Sequence, residues 1–155
     1  MFNNENAAFK GFVTAEVYDA SGNLKDVIET HNLVTNAGFA SIAGLVGAIS
    51  GYTAFGYQGV GTVNGTPAAT DTQLNGGGEV ARVATTNSLV TTTVTDDTLQ
   101  LVGTFNFSTA YTIYEAGVFN AATVGTGTML AEVSLGTITV QSGDSIQLTW
   151  KIQAS

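Results

Sequence analysis

From residue 79 to the end, the chain alternates apolar and polar positions almost without interruption. A period of two is the mark of strands with one buried face. It predicts strands over residues 79–86, 88–95, 98–108, 112–120, 128–135, 137–140 and 145–153. Short turns separate them at Asp96-Asp97, Ser108-Thr-Ala110, Thr123-Val-Gly-Thr-Gly127 and Gln141-Ser-Gly-Asp144. The clearest hairpin spans 114–134, where the turn glycines supply the positive φ that chain reversal needs. An earlier hairpin pairs residues 9–18 with 24–30 around Asp19-Ala-Ser-Gly-Asn23, a run rich in turn formers.

The alternation breaks between these two blocks. Phe39, Ile42, Leu45, Val46 and Ile49 follow helical spacing, with Asn36 placed to cap the helix. Gly38, Gly44 and Gly47 each weaken that helix by about 1 kcal/mol relative to alanine, so it needs tertiary packing to persist. Its small residues would let it lie close against a sheet. Residues 52–57 predict a short strand bearing Tyr52, Phe55 and Tyr57, and residues 58–78 the longest irregular segment. A loop of that length in a compact domain is usually functional or mobile. Residues 1–8 are polar and aperiodic and read as a flexible N-terminal arm. The expected fold is mainly β, an antiparallel β-sandwich or barrel-like domain with one short helix, formed by residues 9–155 as one domain.

Composition narrows the function classes. With 44% hydrophobic residues, 10% charged and 19 glycines, the chain suits strands and tight turns better than helices. Twelve acids against four bases leave a net charge of −8, which disfavours phosphate backbones and anionic lipid, so neither nucleic acid nor membrane is an expected partner. The absence of cysteine excludes disulfides and thiolate metal sites. No secretory signal is visible at the N-terminus and no apolar run is long enough for a span, so a soluble protein made in the cytoplasm is expected.

Candidate chemistry is sparse. His31 is the single histidine and sits beside the expected helix cap, where a structural hydrogen bond is the simpler role. The run from Gly56 to Gly65 has the look of a phosphate cradle but lacks the Lys-Ser/Thr of a P-loop and the dinucleotide spacing, and reads as a loop needing glycine geometry. Asp71, Asp96, Asp97 and Asp144 are the acids available for a weak calcium site, though none stands at ligand spacing. Arg82 and Glu115 stand out as charges among apolar neighbours. Either they satisfy each other as a structural ion pair or each points outward from its strand. No catalytic constellation is recognisable, so no enzyme and no cofactor is expected.

The order of several motifs resembles small virion proteins of tailed bacteriophages, of the tail-fibre-like or capsid-decoration kind. These motifs are Asn32-Leu-Val-Thr-Asn-Ala-Gly38, Gly59-Val-Gly-Thr62, Pro67-Ala-Ala-Thr-Asp-Thr-Gln-Leu74 and Glu79 with Arg82. They continue with Tyr114-Glu-Ala-Gly-Val-Phe-Asn-Ala-Ala122, Thr128-Met-Leu-Ala131 and the stretch from Ile138 to Trp150. The insertion Val63-Asn-Gly-Thr66 departs from that pattern. The resemblance implies a capsid decoration protein on the outer surface of the virion, often homotrimeric, bridging subunits of the major capsid protein. On that reading the arm and the long loop carry the capsid or intersubunit contacts, with Phe2, Asn3, Asn4, Phe9, Tyr57, Val60, Val63 and Pro67 as candidate contact residues. Two alternatives accompany it: a receptor-binding tail component using Tyr52, Phe55 and Tyr57 on host glycans, and a carbohydrate-binding β-sandwich.

Overall fold

The computed structural model describes residues 9–154. Ten strands run as β1 Phe9–Tyr18, β2 Leu24–His31, β3 Leu33–Val34, β4 Tyr57–Gly61, β5 Glu79–Ala84, β6 Thr86–Val90, β7 Thr98–Asn106, β8 Tyr111–Phe119, β9 Met129–Val140 and β10 Ser145–Ala154. One helix, α1, spans Asn36–Val46. Two five-stranded antiparallel sheets result, sheet A in the order β2-β1-β10-β7-β6 and sheet B in the order β3-β9-β8-β4-β5. They face each other as a sandwich. The chain crosses between sheets at both sides, through Asn32 from β2 to β3 and through Thr85 from β5 to β6. These edges are joined by covalent corners and not by a hydrogen-bonded ladder, so the sheets do not close into a barrel.

Alternation supplies the core. Val13, Ala15 and Val17 of β1 and Ile146, Leu148, Trp150 and Ile152 of β10 turn inward from sheet A. They meet Val60, Ala116, Val118, Ala131 and Val133 of sheet B in one apolar cluster. The stretches 128–135 and 137–140, expected as two strands, are the single strand β9. Gly136, at φ 71°, inserts a bulge that switches the buried set from Val133 and Leu135 to Ile138 and Val140.

Local chemistry also moves other expected boundaries. The helix cap is Thr35, one residue before Asn36: its Oγ1 accepts from Gly38 N at 2.9 Å and donates to Met129 O at 2.6 Å. Capping α1 therefore ties it to β9 at the same time. Residues 52–56 form no strand. The strand begins at Tyr57 and continues to Gly61, so the first four residues of the expected loop are sheet. After β6, residues 91–97 turn back because the Asp97 carboxylate accepts the backbone N–H groups of Thr92, Thr93 and Val94.

Candidate interaction surface

The segment from Thr62 to Gly78 folds flat over the outer face of sheet B. Three strand glycines make room on that face, one of them for Leu74 of the segment and two for strand carboxylates beneath it. A Cβ at Gly61 would come 2.6 Å from Glu115 Oε1, one at Gly59 would come 2.3 Å from Glu79 Oε1, and one at Gly117 would meet Leu74 at 3.1 Å. The glycine run read as a phosphate-cradle look-alike and a loop is thus partly strand, and at Gly59 and Gly61 it needs space rather than special φ. Leu74 enters the gap and packs with Phe119, Met129 and Tyr57.

Beside Leu74, Asn75 Nδ2 donates to Glu115 Oε2 at 2.8 Å and to Glu132 Oε1 at 2.9 Å. Both glutamates are almost fully buried, at 1% and 0% exposure. Burial, with help from the adjacent Asp71 and Glu115 carboxyls, pushes the Glu132 carboxyl up to about 9. It therefore holds its proton at neutral pH. Glu115 Oε1 and Glu132 Oε2 have no other hydrogen-bond partner, and a protonated Glu132 brings one O–H donor to this cluster.

The expected Arg82–Glu115 ion pair does not form. Arg82 Nε and Nη2 donate to both oxygens of Glu79, at 2.6 and 2.7 Å. Its Nη1 donates to the carbonyls of Ala121, Thr123 and Thr126, each at 2.9 Å. Its guanidinium lies 3.7 Å from the centre of the Phe119 ring. Pairing across β4 separates the two: Arg82 aligns with Gly59, whereas Glu115 aligns with Gly61, which in turn faces Glu79. Glu79 was the nearer partner in sequence, three residues away, and that signal was available.

The four aspartates named for calcium do not come together. Asp71 joins the glutamates, Asp97 holds the 91–97 turn with Asp96 in it, and Asp144 takes Lys25 at 2.6 Å. Among the described residues no group of three metal-ligating side chains stands at ligand geometry.

Of the candidate contact residues, Phe2, Asn3 and Asn4 lie outside the described residues. Val60 is fully buried between the sheets and cannot contact a partner. Tyr57 is half-buried against the Leu74 cluster, and Val63 sits under Gly76 and Gly78. Pro67 is half-buried in the covering segment. The aromatic trio proposed for glycans also divides: Phe55 is buried and Tyr57 is packed, leaving Tyr52 exposed.

Phe9 leads to the surface that the sequence did not reveal. It lines an open apolar groove of about 380 Å³ with Leu45, Val46, Phe55, Leu89 and Ile152. Helix α1 buries its small residues and leaves most of its large ones out. Gly38, Ser41 and Gly44 are the buried ones, and a Cβ on Gly38 would lie 2.1 Å from Leu130 O. Of the five large apolar positions in the helical pattern, Ile42 packs on the core, while Phe39, Leu45, Val46 and Ile49 stay exposed. Val46 is 85% exposed, Leu89 across the groove 60% and Ile49 58%. Leu45, Val46 and Leu89 thus form an exposed apolar patch around the groove.

Among the described residues no helix is long and apolar enough to cross a membrane. No family model, no curated protein and no solved structure matches the chain.

Proposed function

We propose that the chain is a structural protein of a tailed-bacteriophage virion, a capsid decoration protein that binds the outer capsid surface and bridges subunits of the major capsid protein as a homotrimer. The observation that carries the reading is the outward apolar face of α1 with its groove. The protein works by docking, and no catalysis, cofactor, nucleic acid or membrane enters. The motif order supports the virion assignment, and residues from several of those motifs meet in the fold. Gly59, Gly61, Leu74, Glu79, Arg82, Glu115, Phe119 and Met129 all meet on the outer face of sheet B, where they seal one side of the sandwich. With that side closed, we assign the capsid contact to α1, to the groove and to the start of β1.

The receptor-binding reading is weaker, because two of its three aromatics are occupied inside the molecule. The test is co-sedimentation of the purified protein with capsids of the phage that encodes it. Val46→Asp with Leu89→Asp should abolish capsid occupancy while leaving the melting temperature unchanged. Undiminished occupancy by that double variant overturns docking through this face.

A further inference from the structure

The outer face of sheet A carries a second concavity, of about 450 Å³, on the side of the molecule away from sheet B. Its floor is set by register. Phe12 pairs with His31 on one side and with Lys151 on the other, and Thr14 pairs with Glu29 in the next row. The Phe12 ring, 45% exposed, lies 4.6 Å from the imidazole of His31. The turn 91–97 forms one wall, fixed by Asp97, whose carboxylate also accepts from Gln153 Nε2 at 3.0 Å.

Three features make this a recognition site and not a bare sheet. The first is the Phe12 ring, a large apolar group left open to solvent on the outer face of β1. The second is cationic charge in an acidic protein. Of the four basic side chains, Lys25 pairs with Asp144 and Arg82 with Glu79. Lys151 in the pocket, and Lys10 two residues from Phe12 on the same face, form no ion pair among the described residues. The third is Glu29, a carboxylate acceptor that lines the same pocket without an ion-pair partner among the described residues.

A simple anion would satisfy Lys151 and be repelled by Glu29. An acidic peptide would do the same. A neutral sugar would satisfy Glu29 and the ring but leave the lysine unused. A sugar acid uses all three: hydroxyls for Glu29, an apolar ring face for Phe12 and a carboxylate for Lys151. We propose that this pocket binds a carboxylate-bearing saccharide of the hexuronate type. The site is independent of the α1 groove and does not rest on the virion reading.

The test uses the full chain and a tetragalacturonate probe, beside the same tetrasaccharide with its carboxyls reduced to alcohols and a hexaglutamate peptide. Calorimetry should give a Kd on the order of 1 mM or tighter for the acidic sugar, with the reduced sugar at least about tenfold weaker. Because His31 is the single histidine, its imidazole proton signals give an assigned reporter, and they should shift on titration. Phe12→Ala and Lys151→Gln, both at exposed positions, should each weaken binding about tenfold without moving the melting temperature. Absence of binding, equal affinity for the reduced sugar, an unchanged His31 signal, or hexaglutamate binding as tightly as the sugar acid would each overturn the proposal.

Discussion

The outer faces of the two sheets begin from similar strand-forming residues and end as opposites. On sheet B, residues 62–78 lie over the strands and bury two carboxyls, Glu115 and Glu132, to 1% and 0% exposure. On sheet A, Phe12 remains 45% exposed and Lys151 stands in an open concavity. The difference traces to glycine. Gly59 and Gly61 leave room on the sheet B face for the Glu79 and Glu115 side chains, and Gly117 leaves room for Leu74 of the covering segment. Phe12, Thr14, Glu16 and Tyr18 of β1, with Ser145, Gln147, Thr149 and Lys151 of β10, line the outward face of two interior strands of sheet A with side chains. One face is sealed by its glycines, and the other is kept open by its side chains.

The contrast breaks most readily at Arg82. Arg82→Met strands the Glu79 carboxylate and removes three carbonyl partners of the 120–128 turn, and should cost about 3–5 kcal/mol. Lys151→Met on the open face should stay within about 0.5 kcal/mol. Urea denaturation compares the two, and equal losses would mean that sheet B is no better sealed than sheet A.

Gly61→Ala comes next. A methyl group 2.6 Å from Glu115 Oε1 must displace the buried carboxyl or lift the segment above it, at about 1–3 kcal/mol. Thr14→Ala at the corresponding depth of sheet A should be close to neutral.

Stability against pH sharpens the comparison further. Glu132 is raised from 4.5 to about 9, so across that window the folded chain binds a proton that the unfolded chain has released. Its contribution is fully present below 4.5 and is lost as pH rises towards 9. Asp144 has the opposite sign. Held low first by Lys25 and then by the Gln141 N–H, it stabilises above the ordinary aspartate value of 3.8, and that contribution is lost on acidification. The two windows separate cleanly. Glu132→Gln, which keeps the shape of the protonated acid, should flatten the melting temperature between pH 5 and 9 relative to the parent, and an unchanged slope would place its origin elsewhere.

The smallest effect is expected on α1. Val46→Ser removes an apolar side chain that is 85% exposed, so stability should change by less than about 0.5 kcal/mol. A larger loss would mean that the outward face of the helix is covered within the monomer.

Much of the fold was legible because period-two alternation reports directly which face of a strand is buried. The hairpins 9–31 and 111–140 and the turns at Asp19 and Gly125 follow from it. Gly136 hid the continuity of β9, since a bulge and a turn use the same residue. Glycines at 59 and 61 hid a central strand, because they remove the side chains by which strands are recognised. The Arg82 partner was misassigned because strand register, which puts Glu79 and not Glu115 within reach, is a property of pairing and not of local sequence. Helix α1 concealed the most. Its helical spacing was correct, but spacing cannot tell which residues are covered, and here Gly38 meets β9 and Gly44 lies under the Tyr52 ring while Phe39, Leu45 and Val46 stay outside.

That inverted helix is what the functional reading rests on, and cryo-electron microscopy of the virion tests it directly. The account predicts many symmetry-related copies on the capsid exterior, with the groove between Val46 and Leu89 turned onto the coat. Copies confined to the tail, or capsid-bound copies with that groove facing solvent, would contradict it.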